Sequence, residues 1–302
     1  MAGMKVQDLA GCRLVAEPSI DPGQPASGRS HVSTSRRPAA VGGAVEVRLE
    51  PGTAAAAAGL AWWREVLLIG SLYLAYEVIR NVGQSSAARA LANAESLLSI
   101  QGSLGLNVER SLQRIALPHL WLIELANAYY AIVYTVATLG TLIWLYRVAP
   151  ERYRFWRNAL LITTTFGLVG FYVFPLAPPR LLEALSGSTR FGYVDTLTTL
   201  PSPWSFQTPW MSAVSNQYAA MPSLHCAWAL WTAAAVSSVT THRLLQRAIW
   251  LLPVLTALVV IVTANHYILD IVAAGLVTAL GIAGAALLQQ SRAPRSAGGQ
   301  GG

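Results

Sequence analysis

Residues 246–288 read QRAIWLLPVLTALVVIVTANHYILDIVAAGLVTALGIAGAALL. Apolar residues fill 246–264 and again 266–288, and almost nothing separates the two runs. A helix needs about 20 apolar residues to cross a hydrocarbon core, so each run predicts a membrane span and the break between them a tight hairpin. His266 and Asp270 stand beside that hairpin, in a setting where ionisable groups are costly and mark function. Working outward, further apolar runs occupy 62–82, 120–146, 157–177 and 220–240. The expected fold is all-α, an integral membrane bundle of six transmembrane helices.

Composition agrees. Of 302 residues, 54% are hydrophobic and 12% charged, about half the charged fraction of a soluble domain. Cys12 and Cys226 lie too far apart in sequence and setting for a disulfide framework or a Cys-rich metal site. The net charge of +7 comes from arginines placed between apolar runs, not from a basic stripe with interleaved aromatics, so nucleic acid is not an expected partner.

Residues 1–60 are rich in Pro, Gly, Ser, Ala and Arg and predict a disordered cytosolic tail. Asp8, Arg13, Glu17 and Asp21 interrupt any signal-peptide core. The membrane domain is expected over 61–290 and a second disordered tail over 291–302. In 85–117, Val108, Leu112 and Ile115 recur at helical spacing with Glu109, Arg110 and Arg114 elsewhere, which predicts one extracytoplasmic amphipathic helix at the interface. Residues 178–219 combine five prolines with Tyr193, Trp204, Phe206 and Trp210, an aromatic loop at headgroup depth.

Arginine placement sets the orientation. The 147–157 link holds Arg147, Arg152, Arg154 and Arg157 against Glu151, and the next short link holds Arg243 and Arg247. Both are expected in the cytoplasm. Six spans then give a multi-pass protein of the cell membrane with both termini cytoplasmic, and 83–119, 178–219 and the 264–266 hairpin on the extracytoplasmic face.

That topology brings three ionisable groups to one side. His225 follows Met221-Pro222-Ser223-Leu224, with Pro222 expected near the first helical position and His225 one turn into the helix, where the positive dipole end favours an anion. His266 and Asp270 are four apart and are expected to share a helix face. A carboxylate that holds one imidazole nitrogen as a donor frees the other as nucleophile or base. Phe174-Pro175-Leu176-Ala177-Pro178-Pro179-Arg180 ends the third span on the same side, and Arg180 suits phosphate oxygens. Ser223 and Asn265 complete with it the candidate phosphate-binding set; His225, His266 and Asp270 form the candidate catalytic set. Read singly, each histidine is equally a polar helix–helix contact, and Arg180 a snorkelling interfacial arginine. His119 reads as interfacial and His242 as cytoplasmic. Glu77 and Glu124 read as helix-packing groups, Cys226 as a small buried hydrophobe, Gly275, Gly281 and Gly284 as close-packing positions, and Pro253 as a kink.

Residues 174–180, Ala220 to His225, and His266-Tyr267-Ile268-Leu269-Asp270-Ile271-Val272-Ala273-Ala274-Gly275 together resemble the type-2 phosphatidic acid phosphatase superfamily, and more closely its inositol phosphorylceramide synthase-like branch. The resemblance implies that His266 attacks phosphorus to form a phosphohistidine, Asp270 orients it and His225 protonates the leaving oxygen, with no cofactor and no metal. It implies a phospholipid or polyprenyl phosphate substrate and, as acceptor, water in a phosphatase or a lipid or sugar hydroxyl in a phosphotransferase. The phosphatase branch has a Lys, six residues, then Arg-Pro near the end of the third span; here Val173 and Leu181 flank Arg180 at those places. It also has Ser-Arg ahead of the catalytic histidine, where this chain has Val259 and Val260, and a glycine where Leu224 stands. These departures argue for transfer over hydrolysis and leave Arg180, with Arg190 or Arg110, as the phosphate clamp.

Readings of other classes are a haem-binding cytochrome with His225 and His266 as axial ligands, an intramembrane serine protease using Ser223, and a transporter. Ser223 lacks a glycine-flanked nucleophile turn, the sequence carries no convincing internal repeat, and an axial histidine pair has no need of an aspartate four residues on.

Overall fold

The computed structural model describes residues 61–82, 87–199 and 217–292, with backbone alone for Leu72, Tyr73, 75–82 and Arg292. The expectations for tail 1–60, for Trp204, Phe206 and Trp210, for the Glu77 side chain and for the C-terminal tail beyond Arg292 fall outside the described residues.

Among the described residues the chain is helical, without strands. The elements are α1 (Trp62–Val82), α2 (Ala87–Ser103), α3 (Glu109–Ala116), α4 (Leu120–Val148), α5 (Pro150–Val173), a 3-10 turn (Pro179–Leu181) leading into α6 (Leu182–Ser186), α7 (Thr196–Thr199), α8 (Leu224–Val239), α9 (Arg243–Ala248), α10 (Leu251–Val262) and α11 (Ile268–Arg292). Three stretches are long and apolar enough to cross a membrane: Leu120–Val148, Arg243–Val262 and Ile268–Ser291. Helix α8 is as apolar but has 16 residues, about 24 Å of helix. The other two expected spans form helices α1 and α5; α1 carries Arg64 and Glu65 in its first turn, and α5 carries Glu151, Arg152, Arg154 and Arg157 among its first eight residues.

Apolar side chains line the outside of these helices. Trp121, Leu125, Val136, Leu139 and Ile143 are exposed on α4, Leu251, Val254, Leu255 and Leu258 on α10, and Val272, Leu276, Leu280 and Leu287 on α11. Water does not tolerate contiguous apolar surface on this scale, whereas lipid solvates it. The opposite face of α11 is built of small residues. A Cβ on Gly281 would lie 2.7 Å from the Ala159 carbonyl oxygen and nearer still to Thr163 Oγ1, so α11 meets α5 almost backbone to backbone. Gly284 packs near Ile162, but a Cβ on Gly275 would meet nothing, which corrects the expected close-packing role of that glycine.

Two further expectations change. Within 85–117, the described residues from Ala87 on form two helices, α2 and α3, joined by a turn with Gly105 at φ +69. On α3 the polar face is the buried one: Glu109 and Gln113 are inaccessible while Val108 and Ile115 are exposed. Pro253 introduces no kink. It lies in the first turn of α10, where its missing N–H costs nothing, and the Arg243–Val262 rod is interrupted instead at Ile249–Trp250. Glu124 is exposed and packs no helix.

Contacts define two ends of the bundle. At one, Ala149 alone joins α4 to α5, Arg152 Nη1 donates to the Ser238 carbonyl at 2.5 Å, and Arg157 Nη1 donates to Glu65 Oε1 at 2.6 Å. Both arginine-bearing links and the start of α1 therefore meet there. At the other, the backbone N–H of Leu176 donates to Tyr218 at 2.8 Å, that of Ala177 to Ala90 at 3.2 Å and that of Arg180 to Ala264 at 2.9 Å. Segments 174–180, 217–223 and 263–267 are thus tied together under a cap that includes α2 and α3.

Candidate active site

The hairpin between α10 and α11 occupies 263–267. Ala264 sits at φ +53, and the N–H groups of Asn265 and His266 both donate to the Val260 carbonyl, at 2.9 and 3.2 Å. A left-handed alanine is uncommon, and here it reverses the chain within a few residues. His266 consequently lies ahead of the helix and not on its face, as the four-residue spacing had suggested. Asp270, in the first turn of α11, reaches back: its Oδ2 accepts the Tyr267 N–H at 2.9 Å and lies 3.2 Å from His266 Nδ1. This is one half of a capping box, an acidic side chain three residues in bonding the N-cap N–H. The carboxylate is the natural acceptor for a proton on Nδ1, which leaves the Nε2 lone pair unprotonated. Asp270 is fully buried and His266 is 4% exposed.

Two of the remaining N–H groups at this helix start find partners far away in sequence. Ile268 donates to Glu109 Oε1 at 2.8 Å, Leu269 to Gln101 Oε1 at 3.0 Å, and Asp270 to the Tyr267 carbonyl at 3.2 Å. Gln101 Nε2 in turn donates to Glu109 Oε1 at 2.6 Å. A helix start leaves four donors without intrahelical partners, and here two of them are held by side chains of α2 and α3. Neither Gln101 nor Glu109 is legible in the sequence as a partner of this helix start, because periodicity assigns Glu109 to a solvent face. The available signal was an acid and an amide eight residues apart, flanking the Gly102–Gly105 turn.

His225 is the second residue of α8. Ser223 is the N-cap, its hydroxyl accepting from the Cys226 N–H at 3.4 Å, and its own N–H donates to the Asp270 carbonyl at 3.2 Å. Pro222 thus precedes the cap instead of opening the helix, and the buried Ser223 hydroxyl oxygen caps α8. The His225 ring stacks on Tyr130 (centroids 4.2 Å apart, planes at 19°), touches Tyr134 (4.0 Å), and faces His266 at 5.8 Å. A group bound to one imidazole is therefore within reach of the other.

Two glycines of α5 set this position. A Cβ on Gly167 would come 2.5 Å from Leu224 Cδ2, and one on Gly170 2.5 Å from Pro222 Cδ and 3.3 Å from the Met221 carbonyl oxygen. The segment ahead of His225 lies in the groove they leave. Gly170→Ala should lower turnover tenfold or more, since overpacking costs ~1–3 kcal/mol and must displace the His225 segment. Gly140→Ala on α4, whose Cβ would meet nothing within 4 Å, should leave turnover unchanged. Paired rate measurements in the same lipid check both.

Arg180 follows Pro178-Pro179 and turns towards the hairpin. Its Nε donates to Asn265 Oδ1 at 2.9 Å and its Nη1 to Asp195 Oδ2 at 3.1 Å, and Asn265 Nδ2 donates to Thr263 Oγ1 at 2.9 Å. Asn265, the residue beside His266, thereby ties Arg180 to the hairpin, and Asp195 is a second partner that the sequence did not single out. Arg190 is engaged elsewhere, paired with Glu95 and lying over the Phe191 ring. The Arg110 guanidinium packs on the Gly192 backbone beside Tyr193. Burial first, and Glu109 second, push the Tyr193 phenol up, so it remains a neutral hydroxyl. Cys226 is buried, as expected, and His119 and His242 are the N-cap residues of α4 and α9, away from this cluster.

The sequence model described as the PAP2 superfamily matches residues 95–285. The chain belongs to the PAP2 superfamily. It is therefore a membrane protein with lipid enzymes of the phosphatase and phosphotransferase type as its relatives, and the matched region contains every candidate site residue as well as Gln101 and Glu109. Neither a curated protein nor a solved structure matches the chain. Of the residues singled out in the sequence, His225, His266, Asp270, Asn265 and Arg180 stand in one cluster, Ser223 caps the adjoining helix, and Arg190 pairs elsewhere.

Proposed function

We propose that this PAP2 protein is an integral membrane lipid phosphotransferase that moves a phosphate-linked head group, inositol phosphate being the candidate, from a phospholipid to an alcohol acceptor. The observation that carries the reading is the His225–His266–Asp270 cluster, with Arg180 tied to it through Asn265. His266 Nε2 attacks phosphorus, and the bond from phosphorus to the leaving alcohol oxygen breaks. That oxygen takes a proton from His225, leaving a phosphohistidine and a neutral His225. The acceptor hydroxyl then gives its proton to His225 as its oxygen attacks phosphorus, and the phosphorus–nitrogen bond breaks. Asp270 holds His266 in the productive tautomer, and Arg180 and Asn265 face the phosphate oxygens. Two carbon side chains stand where the phosphatase branch carries cations: Val173, exposed on the outside of α5, and Val260, fully buried under the hairpin. Their placement favours the inositol phosphorylceramide synthase-like branch and transfer over hydrolysis.

The proposed membrane domain, 61–290, crosses six times, with both termini cytoplasmic and the site on the extracytoplasmic face. An impermeant thiol reagent applied from outside should label a cysteine placed in 187–192 and spare one placed at 150–154; the reverse pattern overturns the orientation. The function itself is tested with purified protein in lipid, labelled phosphatidylinositol and candidate acceptor lipids. The transferred product should exceed free inositol phosphate at saturating acceptor. If the released product dominates with every acceptor, lipid phosphate hydrolysis takes the place of transfer.

A further inference from the structure

A cavity of about 890 Å³ lies between α1, α4 and α5, with Trp228 of α8 also lining it. Its volume falls in the range of small-molecule sites, ~300–1,000 Å³. Its wall is mainly apolar, with Ile69, Leu142 and Leu168 among the lining residues. It begins at Tyr134, whose ring lies 4.0 Å from that of His225 and 5.7 Å from that of Trp228. It ends near Tyr146 and Glu65. Between Tyr134 and Tyr146 the wall follows α4 for about 18 Å. The far end is polar, because Glu65 pairs with Arg157 at 2.5 Å and accepts from Tyr153 at 3.3 Å.

We infer that this cavity holds one hydrocarbon tail of the lipid whose phosphate reacts at His266. The inference rests on the proposed lipid phosphate chemistry of that site and adds where the tail goes. An apolar cleft whose wall includes Tyr134, the ring packed against His225, suits a chain of methylenes that must stay out of water while its head group is turned over. The ion pair at the far end bounds the length it accepts, since carrying apolar methylenes past a partly buried Glu65–Arg157 pair would strip that pair of its remaining water. Gly70 lines the cavity, and a Cβ there would meet nothing within 4 Å, so a side chain can start from this position towards the cleft.

The test uses the full chain in phosphatidylcholine nanodiscs and phosphatidylinositol carrying a photoreactive diazirine midway along one tail. Labelled peptides should concentrate in 134–146 and 160–168, several-fold above the lipid-facing surface of α10. Excess unlabelled phosphatidylinositol should displace the label, and diacylglycerol with the same tail should not reproduce it. Label spread evenly over α10 and the cavity, or independent of the head group, would mean bulk bilayer lipid only and overturn the inference. In parallel, Gly70→Phe should slow turnover of long-chain phosphatidylinositol at least tenfold while leaving a dihexanoyl analogue unaffected; equal loss on both overturns it. Turnover of the dihexanoyl analogue by the parent with dispersed label sinks the tail site alone. Head-group-dependent cavity label without any turnover sinks the chemistry and keeps the site.

Discussion

His266→Ala is expected to reduce turnover to below about one per cent of the parent, because a group that acts in the bond-making step contributes roughly 10²–10⁴-fold or more. The fold should survive. The backbone N–H of residue 266 keeps its bond to Val260, Asp270 keeps the Tyr267 N–H, and the hairpin is set by Ala264 and Asn265, not by the imidazole. Helix content and thermal midpoint measured beside the rate separate lost chemistry from lost structure. Activity above one per cent in a folded variant would remove His266 from the nucleophile's role.

Glu109→Ala should have the next largest effect, although Glu109 touches no substrate. Its Oε1 accepts from the Ile268 N–H and from Gln101 Nε2. Truncation therefore strands the Ile268 N–H, at ~1–3 kcal/mol, and leaves Gln101 Nε2 with Asn107 Oδ1 at 3.3 Å as its remaining acceptor. The start of α11 then has reason to fray or shift, and it is the start of α11 that sets Asp270 under His266. A displacement of about 1 Å in a catalytic group can cost roughly 10²-fold. The expected result is a loss of that order in kcat with little change in KM. Glu109→Gln should restore most of it, because an amide oxygen accepts the Ile268 N–H equally well. A Glu109→Ala variant within threefold of the parent would end the positioning role. A glutamine variant as damaged as the alanine would show that the carboxylate charge matters, not the cap.

The three motif segments could be read in the sequence because each joins an apolar run to a short polar break, and arginine counts alone sent the breaks to one side. What periodicity could not convey was how they are joined. His266 and Asp270 were expected on one helical face, yet the left-handed Ala264 ends the hairpin early enough to leave His266 outside the helix and to make Asp270 reach back to Tyr267. Glu109 was assigned outward because a carboxylate on an amphipathic helix normally faces water. Here the partner is another helix's N-terminus, supplied from residue 268, and no local pattern reports a bond across that separation. The same holds for Gly167 and Gly170, whose place in an apolar run gives no sign of the Leu224 and Pro222 side chains packed against them. Asp195 is similar: one acid in a loop rich in aromatics gives no sign that it pairs with Arg180.

The central claim is that a phosphate-linked group passes through His266. It is tested most directly by quenching the purified protein during turnover of ³²P-labelled phosphatidylinositol, without acceptor, and mapping the label. The account predicts an adduct stable in base and labile in acid, carried by the peptide that contains His266 and missing from His266→Ala. An enzyme that turns over lipid with no such adduct, or with an acid-stable label on another residue such as Ser223, would contradict it.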